Sequence, residues 1–99
     1  MLQAQIFIDK DDLLNDTSLY DFILQFLLDR QIAGATAFEG LSGFGAQHKI
    51  KRPDRGFSFD ETPLLITFVD EAEKVKETIK ELRKIYRGGF VVTHAVEQW

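Results

Sequence analysis

Gly40, Gly43 and Gly45 open a stretch that continues through Gln47 and His48 into Lys49, Lys51, Arg52 and Arg55. These residue types in this order are the raw material of an anion site. Glycines let consecutive backbone N–H groups converge on one oxygen-rich ligand, and lysine or arginine side chains add charge-assisted hydrogen bonds. Residues 38–63, FEGLSGFGAQHKIKRPDRGFSFDETP, show no sustained helical or strand period. Compact domains rarely leave more than about 12–15 residues outside regular structure unless the loop binds something, moves or is disordered. A solvated loop whose charges only aid solubility would have the same composition. The glycine order is neither a dinucleotide fingerprint nor a Walker loop, because Gly-x-x-Gly-x-Gly is reversed and no Lys-Ser/Thr follows Gly45.

Other chemistry finds less support. The chain has no cysteine, which removes disulfides, thiolate catalysis and cysteine-bound zinc. Of its two histidines, His48 falls in the loop, as a ligand contact or simply solvated, and His94 shares strand parity with Phe90 and Val92, which favours an interior or interface position. Ser42 and Ser58 sit in no recognisable nucleophile elbow. Asp9-Lys10-Asp11-Asp12 begins like a calcium loop and then places Leu13 and Leu14 where a ligand and a glycine belong, so it reads as a strand-to-helix connection. No metal site is expected.

The elements that must hold the loop follow from periodicity. Leu2, Ala4, Ile6 and Ile8 alternate with Gln3 and Gln5 as in a strand, with Phe7 out of pattern. Ser18 and Asp21 resemble a capping box before Leu19, Phe22, Ile23, Phe26 and Leu27, which predicts a helix over 18–31. Ala35 to Glu39 is a short strand entering the loop, and Leu64 to Val69 a strand leaving it. Asp70 with Glu73 signals a second cap. The spacing Ala72, Val75, Ile79, Leu82, Tyr86 predicts a helix that stops at Gly88-Gly89, where glycine takes the left-handed conformation, before a last strand from Phe90 to Val96.

This order, β-α-β-loop-β-α-β, is the ferredoxin-like split arrangement of an α+β fold: a four-stranded antiparallel sheet with two helices on one face, in a single domain spanning residues 1–99. Two helices cover one face only. Yet Leu64, Ile66 and Phe68 alternate with Leu65 and Val69, and Phe90, Val92 and Val96 with Val91 and Ala95, so both faces carry apolar residues. A face open to water should be polar. Further copies of the chain are expected to cover it.

Within this framework Gly40 to Gln47, GLSGFGAQ, resembles the glycine-rich start of the mobile loop in the PII signal-transduction proteins. The closer resemblance is to the PII-like family called domain of unknown function 190, in Gly34-Ala35-Thr36, in Gly43-Phe44-Gly45 and in Ser58-Phe59-Asp60-Glu61-Thr62-Pro63. The resemblance covers nearly the whole chain. It implies a homotrimer built from three sheets packed face to face, small molecules in the clefts between subunits, and a 41–60 loop that signals to a target protein. By position Gln47 matches the loop glutamine that PII proteins place near the nucleotide phosphates. Two departures stand out: Arg87-Gly88-Gly89-Phe90 lacks the lysine of the PII turn, and the loop has no tyrosine to modify.

The expectation is a small-molecule-sensing adaptor, not an enzyme. It would bind an adenine nucleotide, another phosphorylated metabolite or a small anion through Gly40, Gly43, Phe44, Gly45, Gln47, His48, Lys49, Lys51, Arg52 and Arg55. Gly88 and Gly89 of a neighbouring subunit would help. A membrane transporter or a metabolic enzyme is the expected target. The net charge of −4 argues against nucleic acid as a partner, and no apolar run is long enough to insert in a membrane, so a cytoplasmic protein is expected. Two alternatives remain in view. Ile6-Phe7-Ile8 and Arg55-Gly56-Phe57-Ser58-Phe59 resemble the motifs of RNA-recognition domains, which share this order of elements. An enzyme working in the intersubunit cleft is the other.

Overall fold

A computed structural model describes residues 1–45 and 62–99. Strand β1 (Leu2–Asp9) leads through a two-residue hairpin, β2 (Leu13–Leu14) and β3 (Thr17–Ser18), into α1 (Leu19–Asp29) and then β4 (Ala35–Glu39). Beyond the long loop follow β5 (Pro63–Asp70), α2 (Ala72–Ile85) and β6 (Phe90–Ala95). The sheet order is β4-β5-β1-β6 and all three pairings are antiparallel. This is the expected ferredoxin-like arrangement, with its first and third long strands in the middle.

Strand parity divides the sheet into two chemically distinct faces. On the helix face Ala4, Ile6 and Ile8 from β1 and Leu64, Ile66 and Phe68 from β5 are buried against Leu19, Ile23, Phe26 and Leu27 of α1 and Val75 and Leu82 of α2. Among the described residues the other face has no layer over it. There Phe38, Leu65, Phe7 and Phe90 form one row across all four strands, each the register partner of the next. Phe7, Phe38 and Phe90 are 41%, 54% and 63% exposed, and the Phe7 and Phe90 rings lie 6.0 Å apart. A row of polar Thr36, Thr67 and Gln5, ending on apolar Val92, runs beside it. Gln3 Nε2 donates to Thr67 Oγ1, which donates in turn to the Ala4 carbonyl. The two-sided apolar strands read from sequence are real, and Phe7 leaves the alternation because it belongs to the uncovered face.

The helix ends depart from expectation in instructive ways. Ser18 caps α1 as foreseen, accepting from Asp21 N at 3.3 Å, but the helix ends at Asp29 with Gln31 at φ 61°. Asp70 does not cap α2. Its carboxylate instead accepts from the amides of Glu71, at 2.7 Å, and of Ala33, at 3.1 Å, while Lys74 Nζ lies 3.4 Å away and donates to the Gln31 carbonyl. One buried acid thus ties the end of α1 to the start of α2, and these hydrogen bonds hold its pKa below the ordinary carboxylate value against the opposing effect of burial. Helix α2 stops at Ile85 rather than at the glycines. Tyr86 is already extended, at φ −138° and ψ 122°, and its half-buried ring packs on the core. The Arg83 guanidinium caps the turn by donating to the carbonyls of Tyr86 and Gly88. The β2–β3 hairpin, turning through Asn15 and Asp16 at positive φ, replaces the plain connection expected after Asp12.

Candidate functional site

Two chain turns meet the same end of the sheet. At one edge β4 leaves through Gly40 to Gly45, and β5 arrives beside it through Thr62 and Pro63. At the other edge the Arg87 to Gly89 turn delivers β6. Both stems of the long loop are fixed: Gly40 N donates to the Pro63 carbonyl at 2.8 Å, and Lys10 N donates to the Thr62 carbonyl at 2.8 Å. An ion pair adds a strap across the end of β5. Lys10 Nζ lies 2.6 Å from Glu39 Oε1, and that contact raises the lysine pKa. Both side chains are exposed, so the strap weakens with salt. Neither residue was readable as a site residue from sequence, since only the strand register brings positions 10 and 39 together.

The glycines separate into two groups. A Cβ on Gly40 would meet Pro63 Cγ at 3.0 Å, and one on Gly88 would run into the Tyr86 hydroxyl. Gly89 has φ +66°, and a Cβ there would come within 2.7 Å of the Phe7 carbonyl oxygen. Packing alone therefore accounts for Gly40, Gly88 and Gly89. By contrast, among the described residues a Cβ on Gly43 would touch Pro63 Cγ alone, at 4.0 Å, and one on Gly45 would meet nothing. The described residues make no steric demand for glycine at these two. Phe44, between them, is 68% exposed.

Gly40 and Gly89 sit at one end of the sheet but at opposite edges, three strand spacings or about 14 Å apart. Tyr86 lies at this end too, its hydroxyl pKa raised by burial and by the charges of Asp12 and Asp9. Gln47, His48, Lys49, Lys51, Arg52 and Arg55 lie outside the described residues, as do the RNA-type segment from Arg55 to Phe59 and most of the 41–60 loop. His94 stands on the uncovered face beside Phe90 and Val92 and is exposed in the single chain. Among the described residues no cluster of His, Asp and Glu is arranged to hold a metal, and no helix is long and apolar enough to cross a membrane.

Known proteins are similar to this chain in sequence and in fold. A UPF0166 protein of Aquifex aeolicus is 25% identical over 84 residues, covering 85% of this chain and 80% of that protein. The structure of CPII, a PII-like protein of Thiomonas intermedia K12 bound to ADP and bicarbonate, matches with a TM-score of 0.66 at 19% identity over 94% of this chain and 82% of its own. CutA of Pyrococcus horikoshii matches with a TM-score of 0.68 at 14% identity, over 100% of this chain and 87% of its own. At these identities the two solved structures speak for the fold. Residues 1–98 match DUF190, described as "Uncharacterized ACR", and the chain belongs to that family of PII-like, ferredoxin-like proteins.

Proposed function

We propose that the protein is a PII-like small-molecule sensor that binds an anionic metabolite or adenine nucleotide at the loop end of its sheet and signals through the 41–60 loop to a partner protein. The observation that carries this reading is the pair of glycines at 43 and 45, on which the described residues place no steric demand, beside an anchored loop stem. That CPII holds ADP and bicarbonate on the same fold supports it. The uncovered sheet face supports the assembly: three chains packing their Phe38–Leu65–Phe7–Phe90 rows together would bury the aromatic surface and leave clefts between subunits at the ligand end. A membrane transporter or a metabolic enzyme is the kind of target such a loop would serve.

Binding without turnover is part of the reading. Titration calorimetry with ADP and with bicarbonate should give saturable heats that Gly43→Val and Gly45→Val abolish. ATP incubated with the protein should be recovered intact. Heats that survive both substitutions, or steady release of phosphate, would contradict the proposal. The RNA reading keeps one observation in its favour, the exposed Phe7 and Phe90 rings on an open sheet face. That face carries no lysine or arginine among the described residues, whereas single-strand binding needs cations to follow the phosphates.

A further inference from the structure

Helix α1 carries more apolar residues than the sheet beneath it can cover. Leu19, Ile23, Phe26 and Leu27 are buried in the core. Tyr20, Leu24 and Leu28 form a further row at a spacing of four, and this row turns progressively away from the sheet. Tyr20 and Leu24 are half-buried at the margin of the core, whereas Leu28 is 67% exposed. Leu28 follows the fully buried Leu19 by about two and a half turns and so points the opposite way. Asp21, Gln25 and Asp29 form the next row, all exposed, with Gln25 Nε2 donating to Asp29 Oδ1 at 2.8 Å. The outer side of α1 is an apolar ridge beside an acidic one.

Charge sets this surface apart from its neighbour. Residues 11–29 hold five aspartates and no lysine, arginine or histidine. None of the five is in an ion pair among the described residues. Helix α2 is built differently: Glu73, Glu77 and Glu81 lie 3.6, 3.5 and 3.2 Å from Lys76, Lys80 and Lys84, so its own lysines neutralise its acids. Asp29 also stands against the helix dipole, in a last turn that has no basic residue and whose carbonyl ends favour a cation. Arg30, the next residue, holds its guanidinium over the Phe26 ring, 3.5 Å from its centre. The exposed end of α1 therefore presents an acceptor for a cation right beside an uncovered leucine.

We infer that the outer side of α1 is a docking surface for a basic amphipathic helix of a partner protein. Its apolar residues would lie on the Tyr20–Leu24–Leu28 row and its lysines or arginines against Asp21 and Asp29. A row at every fourth position is the ridge that packs into the groove of a second helix, so the spacing selects a helix. An extended strand would find no free backbone partners on α1, whose N–H and C=O groups are spent within the helix. The unpaired aspartates select a basic helix. They set aside a second copy of the same surface and an anionic membrane, both of which would bring like charge. Tyr20 to Leu28 spans about 12 Å, enough for two turns of the partner. This surface is on the helix side of the sheet, opposite the aromatic row through which copies are proposed to pack, and it stands whether or not the loop end binds a ligand.

Fluorescence anisotropy on the full chain, with a labelled peptide of two Leu-Lys-Lys-Leu-Leu-Lys-Leu heptads, tests the inference. The peptide should bind at least tenfold more tightly than a scrambled peptide of the same composition with no apolar face. Leu28→Gln should weaken binding at least fivefold, and Asp21→Lys with Asp29→Lys at least tenfold. Circular dichroism should be unchanged in both variants, because Leu28 is exposed and, of the two new lysines, one opposes the helix dipole while the other favours it. Binding that falls with the charge reversal but ignores both Leu28→Gln and the scrambling would reduce the surface to a screened acidic patch and overturn the proposal. Indifference to the charge reversal would overturn it as well, by leaving apolar contact without selectivity. So would a smaller particle mass for Leu28→Gln than for the parent chain in light scattering, because another copy would then be what covers the row.

Discussion

Individual residues differ in what the described fold demands of them, and the glycines show the difference most clearly. Gly89→Ala forces a Cβ toward the Phe7 carbonyl oxygen at a backbone angle that L residues rarely take. It should cost about 2 kcal/mol, from the left-handed conformation and the clash together. Gly45→Ala should change stability by less than about 0.5 kcal/mol, as an open surface site does. Urea denaturation of both variants checks the contrast. Asp70 gives a second test. Its pKa is lowered in the folded state, so its contribution is fully present above the ordinary value of 3.8 and is lost as pH falls through the lower folded value. Asp70→Asn should cost about 1–3 kcal/mol at neutral pH, where amides of Glu71 and Ala33 lose a charged acceptor. The difference from the parent chain should shrink toward zero on acidification. A gap that persists at low pH would mean that Asp70 acts through shape rather than charge.

At the scale of elements, long periodic segments were legible and short aperiodic ones were not. The alternation in residues 2–8 and the run from 64 to 69 locate the two central strands within a residue or two, because one parity of each is buried against the helices. The two-residue strands of the β2–β3 hairpin carry too few positions to show any period. The end of α2 was misplaced for a different reason: Gly88-Gly89 looks like a helix stop, but Tyr86 leaves the helix earlier to put its ring on the core, and Gly89 serves the approach to β1 instead. The Lys10–Glu39 strap needed the strand register. At the end of α1, Gln31 holds a left-handed conformation that glycine adopts without strain. Gln31→Gly should stabilise the protein by roughly 1 kcal/mol, because Lys74 bonds its backbone carbonyl and not its side chain. A lower urea midpoint for this variant would refute the account of that helix end.

For the whole molecule the governing fact is a sheet with two apolar faces and helices on one of them. An uncovered aromatic row is the kind of surface that a soluble protein buries by association. Phe7→Glu with Phe90→Glu should dissociate the assembly into single chains while the helix-face core, which neither residue touches, keeps its far-ultraviolet spectrum. In the proposed reading the ligand sits in a cleft between subunits, to which Gly43 and Gly45 are contributed by the loop stem of one chain. Native mass spectrometry of the protein incubated with ADP puts the central claim to the most direct test, because one spectrum counts chains and bound nucleotide together. The account predicts three chains per particle with ADP retained, and loss of the nucleotide adduct but not of the trimer in Gly45→Val. Particles that carry no ADP at saturating nucleotide, whatever their number of chains, would contradict it.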